Sequence, residues 1–313
     1  MDDDTGVFTI SLDTELAWGT FDKGNVERYE EAYRNTPEVI DQLCDLFDEY
    51  EIPATWAIVS HLLEDCGRDH YDRTSPNFEW VDDWFGELPC ASGMDEELWY
   101  APWLLDRIQE CETEQEIGLH GSTHMQLGAD GCSRQHAEEE IGAAVGTLRK
   151  HGVEPKSFVF PRNDIGHVDV LREYGIEAYR GLDARWYERG WVPGVVKPPL
   201  RFADEAARLQ PPVVEAVERG GIVEVPGSQV FRPSHDGWQY ASGESSIARA
   251  RKGLERTART GGVFHLWFHP FNLGHEPELD LARFRDVLET VTEFVERGEI
   301  ECRPMREIEV AGP

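Results

Sequence analysis

The chain predicts an α/β fold in which a parallel sheet closes into a barrel, and three observations carry that reading. Short apolar segments alternate with stretches whose apolar residues recur at helical spacing, the βαβα rhythm of parallel sheets. About seven of the segments read as strands, a number that closes most naturally into a barrel. The 313 residues, 40% of them hydrophobic and 11% aromatic, are enough for one barrel with a full core.

The first strand lies in FTISLDTELAWG, Phe8 to Gly19, where Phe8, Ile10 and Leu12 supply the apolar alternation. It ends in Asp13 and Glu15 with only Thr14 between them. Acids are poor strand residues, and two so close repel each other. Either the strand stops there with both acids in water, or a cation or shared proton sits between them. PEVIDQLCDLFDEY (37–50) has proline at a helix start and apolar residues at helical spacing. PATWAIV (53–59) and EIGLHG (116–121) are short strands, the second followed by a helix over 134–150. SFVFPRN (157–163) is a fourth strand, and VDVLREYG (168–175) a short helix ending on glycine. EAYRG (177–181), IVEVPG (222–227) and VFHLWFHP (263–270) are the remaining strands, with helices over 245–259 and 279–297 flanking the last. Two stretches break the rhythm: 61–103, rich in aromatics, and 186–239, which holds several prolines and an expected helix over 205–219. Both are expected as insertions at the mouth of a single barrel domain spanning 1–313.

Charge is the outlier of the composition. Sixty-one acids against 30 bases leave −31, with an isoelectric point near 4.6. Only Lys23, Lys150, Lys156, Lys197 and Lys252 are lysines. Such a surface repels nucleic acid and anionic membranes, so neither is an expected partner. The composition resembles that of proteins from high-salt cytoplasms. The chain opens MDDDTG, acidic where a secretory leader would be basic, and no apolar run is long enough to span a membrane, so a cytoplasmic location is expected. Cys44, Cys66, Cys90, Cys111, Cys132 and Cys302 are scattered and read as reduced thiols.

HGSTH places His120 and His124 four apart, directly after a strand end. If that segment turns helically, both imidazoles lie on one face and can share an ion; otherwise they are two unrelated histidines. In a parallel barrel the C-terminal ends of all strands point to one rim. Asp13 and Glu15 end the first strand, His120 and His124 the third, Pro161 to Asn163 the fourth, and His269 the last, so the polar outliers of four strands converge. At i and i+2, Asp13 and Glu15 share a face of the strand.

The order SLDTE, HGSTH, FPRN, HLWFHP resembles the polysaccharide deacetylase family of metal-dependent carbohydrate de-N-acetylases, over nearly the whole chain. The resemblance implies a distorted (β/α)₇ barrel. It implies Asp13 as general base, Glu15, His120 and His124 as ligands of one divalent ion, zinc first, Arg162 as the group orienting Asp13, and His269 as general acid. The commonest family form has adjacent aspartates where this chain writes D-T-E, and here the arginine follows the proline of F-P-R-N. A backbone N–H near His124 is a further candidate donor to the oxyanion.

Other polar residues have duller readings beside these. His265 is expected inside the barrel, and His61, at the end of the second strand, either is structural or lines the pocket. Asp164, His167 and Asp183 are rim candidates. Trp80, Trp84, Trp99 and Trp103 either stack on sugar rings or pack the insertion. The expected activity is removal of an N-acetyl or N-formyl group from an amino sugar, in a nucleotide- or lipid-linked glycan precursor or a polysaccharide. The alternatives are an allantoinase-like cyclic-amide hydrolase and a carbohydrate-binding protein without catalysis. Asp13 and His269 together argue against the last, because a binder needs no acid and base. The sequence leaves the oligomeric state open.

The charge carries its own prediction. Salt at about 1 M shortens the screening length to ~3 Å and removes self-repulsion. The melting temperature should therefore rise between about 0.1 M and 2 M potassium chloride; a flat profile would contradict it.

Overall fold

A computed structural model describes residues 5–64, 73–86, 88, 95–188, 191–241 and 244–310. Cys66, Tyr71 and Cys90 lie outside the described residues. Strands β1 (Gly6–Thr14), β2 (Thr55–Ile58), β3 (Glu116–Leu119), β4 (Ser157–Val159), β5 (Ala178–Gly181) and β9 (Val263–Phe268) form a parallel sheet in the order β5-β4-β3-β2-β1-β9. The segment 222–230 closes it. Its first part, β7 (Ile222–Pro226), pairs with β5, and its second, β8 (Gln229–Val230), pairs with β9, both in parallel. One bent strand thus joins the two ends of the sheet, and the barrel is seven-stranded and distorted. The bend falls at Gly227, where a Cβ would collide with the Asp183 carboxylate. Two further strands lie off the ring: β6 (Val217–Arg219) makes an antiparallel hairpin with β7, and β10 (Ile300–Cys302) pairs with the start of β1.

The alternation of β1 divides two environments. Phe8, Ile10 and Leu12 face the helices in the main core, with Phe47, Trp56, Phe158 and Phe284. Thr9, Ser11 and Asp13 face inward and are also buried. An interior face that is polar in its upper layers needs partners across the barrel, because a buried polar group without one is costly.

Helix α1 (Val26–Glu49) begins eleven residues before the expected start and carries Pro37 inside it. The reason is packing: Ala32 and Tyr33, upstream of the proline, are fully buried, and their contacts outweigh one lost backbone bond. Helices α2 (Leu104–Gln109), α3 (Arg134–Lys150) and α4 (Val168–Glu173) follow. The helix expected over 205–219 is corrected. Helix α5 runs Lys197–Ala206, and Val217–Arg219 is strand. Pro211 and Pro212 stand between them and cannot continue a helix. Helices α6 (Glu244–Thr260) and α7 (Pro277–Glu296) flank β9. Among the described residues no helix is long and apolar enough to cross a membrane.

Candidate active site

Asp13 is the last inward-facing residue of β1 and is buried. Arg180, inward-facing on β5, grips it with both terminal nitrogens: Nη1 donates to Oδ1 at 2.5 Å and Nη2 to Oδ2 at 2.7 Å. Burial alone would push the Asp13 carboxyl up, but the charges of Arg180, then His269 and His120, hold it below its ordinary value. Asp13 is therefore an anion.

Beyond Thr14 the chain leaves the strand, and Leu16 takes a left-handed φ of 46°. That turn brings Glu15 back over the barrel mouth. Gly19 lies directly beneath its carboxylate, and a Cβ there would overlap Glu15 Oε1. Gly19→Ala should displace Glu15 and weaken metal retention by roughly 10- to 100-fold. Metal titration of the purified variant checks this; wild-type affinity would show that the carboxylate relaxes freely.

The HGSTH segment is not helical, and the expectation of two imidazoles one helical turn apart is corrected. It is a loop wrapped around the buried Glu140 carboxylate of α3. Glu140 Oε1 accepts from the backbone N–H groups of Ser122 (2.8 Å), Thr123 (2.6 Å) and Met125 (3.4 Å). The Thr123 hydroxyl also donates to Glu140 and accepts from Trp84 Nε1 at 2.9 Å. Gly121 and His124 have positive φ values of 82° and 62°, which a regular helix forbids. The N–H groups flanking His124 are thus committed to Glu140, so the oxyanion donor expected there is not among Thr123 and Met125.

The loop delivers both rings to one carboxylate oxygen. His120 Nε2 and His124 Nε2 each lie 3.0 Å from Glu15 Oε2. His120 Nδ1 must donate to the Val159 carbonyl at 2.8 Å, since a carbonyl only accepts. In its neutral form His120 then points a bare lone pair at a carboxylate oxygen, an arrangement that needs a cation or a proton between them. Burial would raise the Glu15 carboxyl, but the charges of His269 and His124 and hydrogen bonds from both imidazoles hold it well below its ordinary value. One carboxylate oxygen and two imidazole nitrogens, all within 4.8 Å of one another, form a donor set that suits a divalent ion with positions left open.

His269 follows β9 with its side chain a quarter exposed. Its Nε2 stands 3.7 Å from Asp13 Oδ2 and 3.5 Å from Glu15 Oε1, and Nδ1 lies 3.3 Å from Asn272 Nδ2.

Arg162 does not reach Asp13, and that expectation is corrected. It and Asn163 both have φ of 55°, and this left-handed turn aims the guanidinium across the rim to Asp22 Oδ1 (2.5 Å) and the Gly19 carbonyl (3.1 Å). Asn163 turns the other way and accepts from Arg180 Nη2 at 3.0 Å. Arg180 is the functional residue that sequence reasoning missed. Its signal was an arginine inside the short strand EAYRG, where burial demands a carboxylate partner.

The remaining candidates divide. His265 is inside the barrel, as expected, and Asp183 accepts from Trp267 Nε1 at 2.9 Å on the rim. His61 packs edge-on against Trp18, 4.8 Å between centroids, and its backbone N–H braces the histidine loop at Ser122 O. His167 binds the Cys132 carbonyl at 3.1 Å, away from the carboxylates. Burial, then the Asp130 charge, raises the Asp164 carboxyl. Trp84 and Trp99 are buried against Phe21 and Trp18, so they pack the insertion; Trp80 is the exposed one, stacked on Phe78 and donating to Asp22 Oδ2 at 3.2 Å.

Comparison with known proteins adds the family. The sequence pattern of polysaccharide deacetylases matches residues 11–179, more than half of the chain. A solved structure assigned as a polysaccharide deacetylase from Mycobacterium smegmatis superposes with a TM-score of 0.62 at 16% identity, covering 98% of this chain and 90% of that one. Another so assigned, from Pseudomonas aeruginosa, gives 0.55 at 11% identity, covering 98% and 90%. An allantoinase gives 0.50 at 11% identity, with the same coverage of 98% and 90%. At these identities the structures attest the fold alone. No curated protein matches the chain.

Proposed function

The chain belongs to the polysaccharide deacetylase family, and from that premise we propose that it hydrolyses the N-acetyl amide of an amino sugar, with residues 1–313 working as one catalytic unit. The family places it among hydrolases of carbon–nitrogen bonds acting on carbohydrate. One observation carries the finer reading: Asp13, Glu15, His120, His124 and His269, from three strand ends, meet within 3.0–4.0 Å on one rim.

In this reading Glu15, His120 and His124 hold a divalent ion, zinc by the preference of the donor set, which when bound would polarise the amide carbonyl and acidify water. Asp13, kept ionised by Arg180, takes the proton of the attacking water. His269, on the open side of the site, gives a proton to the amide nitrogen as the carbon–nitrogen bond breaks. Acetate and a free amine result. Arg180 aims Asp13, and the Arg162–Asp22 pair shapes the rim.

Acetate release should be measured on free, nucleotide-linked and lipid-linked N-acetylhexosamines, on their oligomers, and beside allantoin. Acetate from at least one sugar supports the reading; ring opening of allantoin alone replaces it. The two arginines separate in the same assay. Arg180→Met should lower turnover by about 100-fold, since a misaimed base loses much of its contribution, and Arg162→Met by less than about tenfold. Equal losses would return the orienting role to Arg162.

A further inference from the structure

We infer that His265 and Ser11 are positioning residues for the Asp13 carboxylate, acting through Arg180; this rests on the reading of Asp13 as the base. The donors of Arg180 lead there. Its two terminal nitrogens carry four hydrogens, and four acceptors receive them: both Asp13 oxygens, Asn163 Oδ1 at 3.0 Å, and Ser11 Oγ at 3.1 Å. The face of the guanidinium lies over Trp267, 4.2 Å from the ring centroid, and Trp267 is in turn fixed by Asp183. No rotation of the guanidinium keeps all of these bonds.

Ser11 joins this grip to the barrel floor. Its hydroxyl accepts from Arg180 and lies 2.9 Å from His265 Nε2. A serine has one proton to give, and among the described residues His265 is the one further partner of this oxygen. Ser11 therefore donates to His265, which must present an unprotonated Nε2 and carry its proton on Nδ1. Nδ1 is buried on the side of the Val225 and Pro226 carbonyls of β7, without a hydrogen bond of good geometry to either. Its own backbone N–H donates to Ser228 Oγ at 3.1 Å. Burial, then the Arg180 charge, pushes the imidazole down to about 3, which keeps it neutral at working pH. The direction of the chain is thus set from below: a neutral His265 turns the Ser11 hydroxyl away from Arg180, leaving an oxygen lone pair for Nη1. A charged or Nε2-protonated His265 would instead donate to Ser11 Oγ and leave the buried hydroxyl proton without an acceptor among the described residues.

The metal-loaded full chain tests this in two ways. Ser11→Ala and His265→Leu should each lower kcat by about tenfold with KM and metal content unchanged, and the double variant should fall no further than either single one. His265→Gln, which restores an acceptor at the position of Nε2, should recover most of the loss. Nitrogen-15 NMR of the histidines should show Nδ1–H and a bare Nε2 on His265 throughout pH 5 to 8. An Nε2–H tautomer, additive losses, or wild-type kcat in both Ser11→Ala and His265→Leu overturns the inference. If the wild type cleaves no N-acetyl sugar, the reading of the base falls instead, and the tautomer still decides whether the chain from Ser11 to His265 exists.

Discussion

Asp13→Asn is expected to lower turnover by about 10²- to 10⁴-fold, or roughly 3–5 kcal/mol of barrier, while leaving the metal in place. The amide keeps the shape of the side chain and one acceptor for Arg180, but it cannot take a proton from water. Arg180 then faces an Nδ2 group with one of its nitrogens, and two donors meet. That clash adds to the loss and should appear as a lower melting temperature, because Arg180 loses its carboxylate counter-charge in a buried site. Metal content by elemental analysis separates this outcome from its rival. If Asp13→Asn empties the site while Glu15→Gln leaves it full, the two acids have exchanged roles. The geometry weighs against that exchange, since both histidines approach Glu15 Oε2 at 3.0 Å and His120 stands 4.0 Å from Asp13.

Loss of either imidazole should be larger still for the ion. His120→Ala or His124→Ala removes one of three protein donors, and retention should fall by more than the roughly 10- to 100-fold that follows a disturbed supporting residue. Turnover should fall with it and return in part at high metal concentration. The two variants should differ in stability. His120 also bonds the Val159 carbonyl between two strands, whereas His124 has no bond recorded at Nδ1, so His120→Ala should melt lower. Equal metal content in wild type and both variants would show that the three side chains meet without holding an ion.

Sequence by itself determined the barrel and the rim on which its polar residues gather. Apolar alternation is a local property, readable over a few residues, and the C-terminal ends of parallel strands share one face whatever the loops do. Asp13, Glu15, His120, His124 and His269 were therefore legible as strand-end outliers. Which arginine serves Asp13 was not. Arg162 and Arg180 stand in adjacent strand segments, and the choice turned on two left-handed residues and on a contact between positions 167 apart. The length of α1, the Glu140 carboxylate that holds the histidine loop, and the space that Gly19 leaves for Glu15 were likewise decided in three dimensions. Each depends on which atoms lie within a few ångströms after closure of the barrel, and spacing along the chain does not encode that distance.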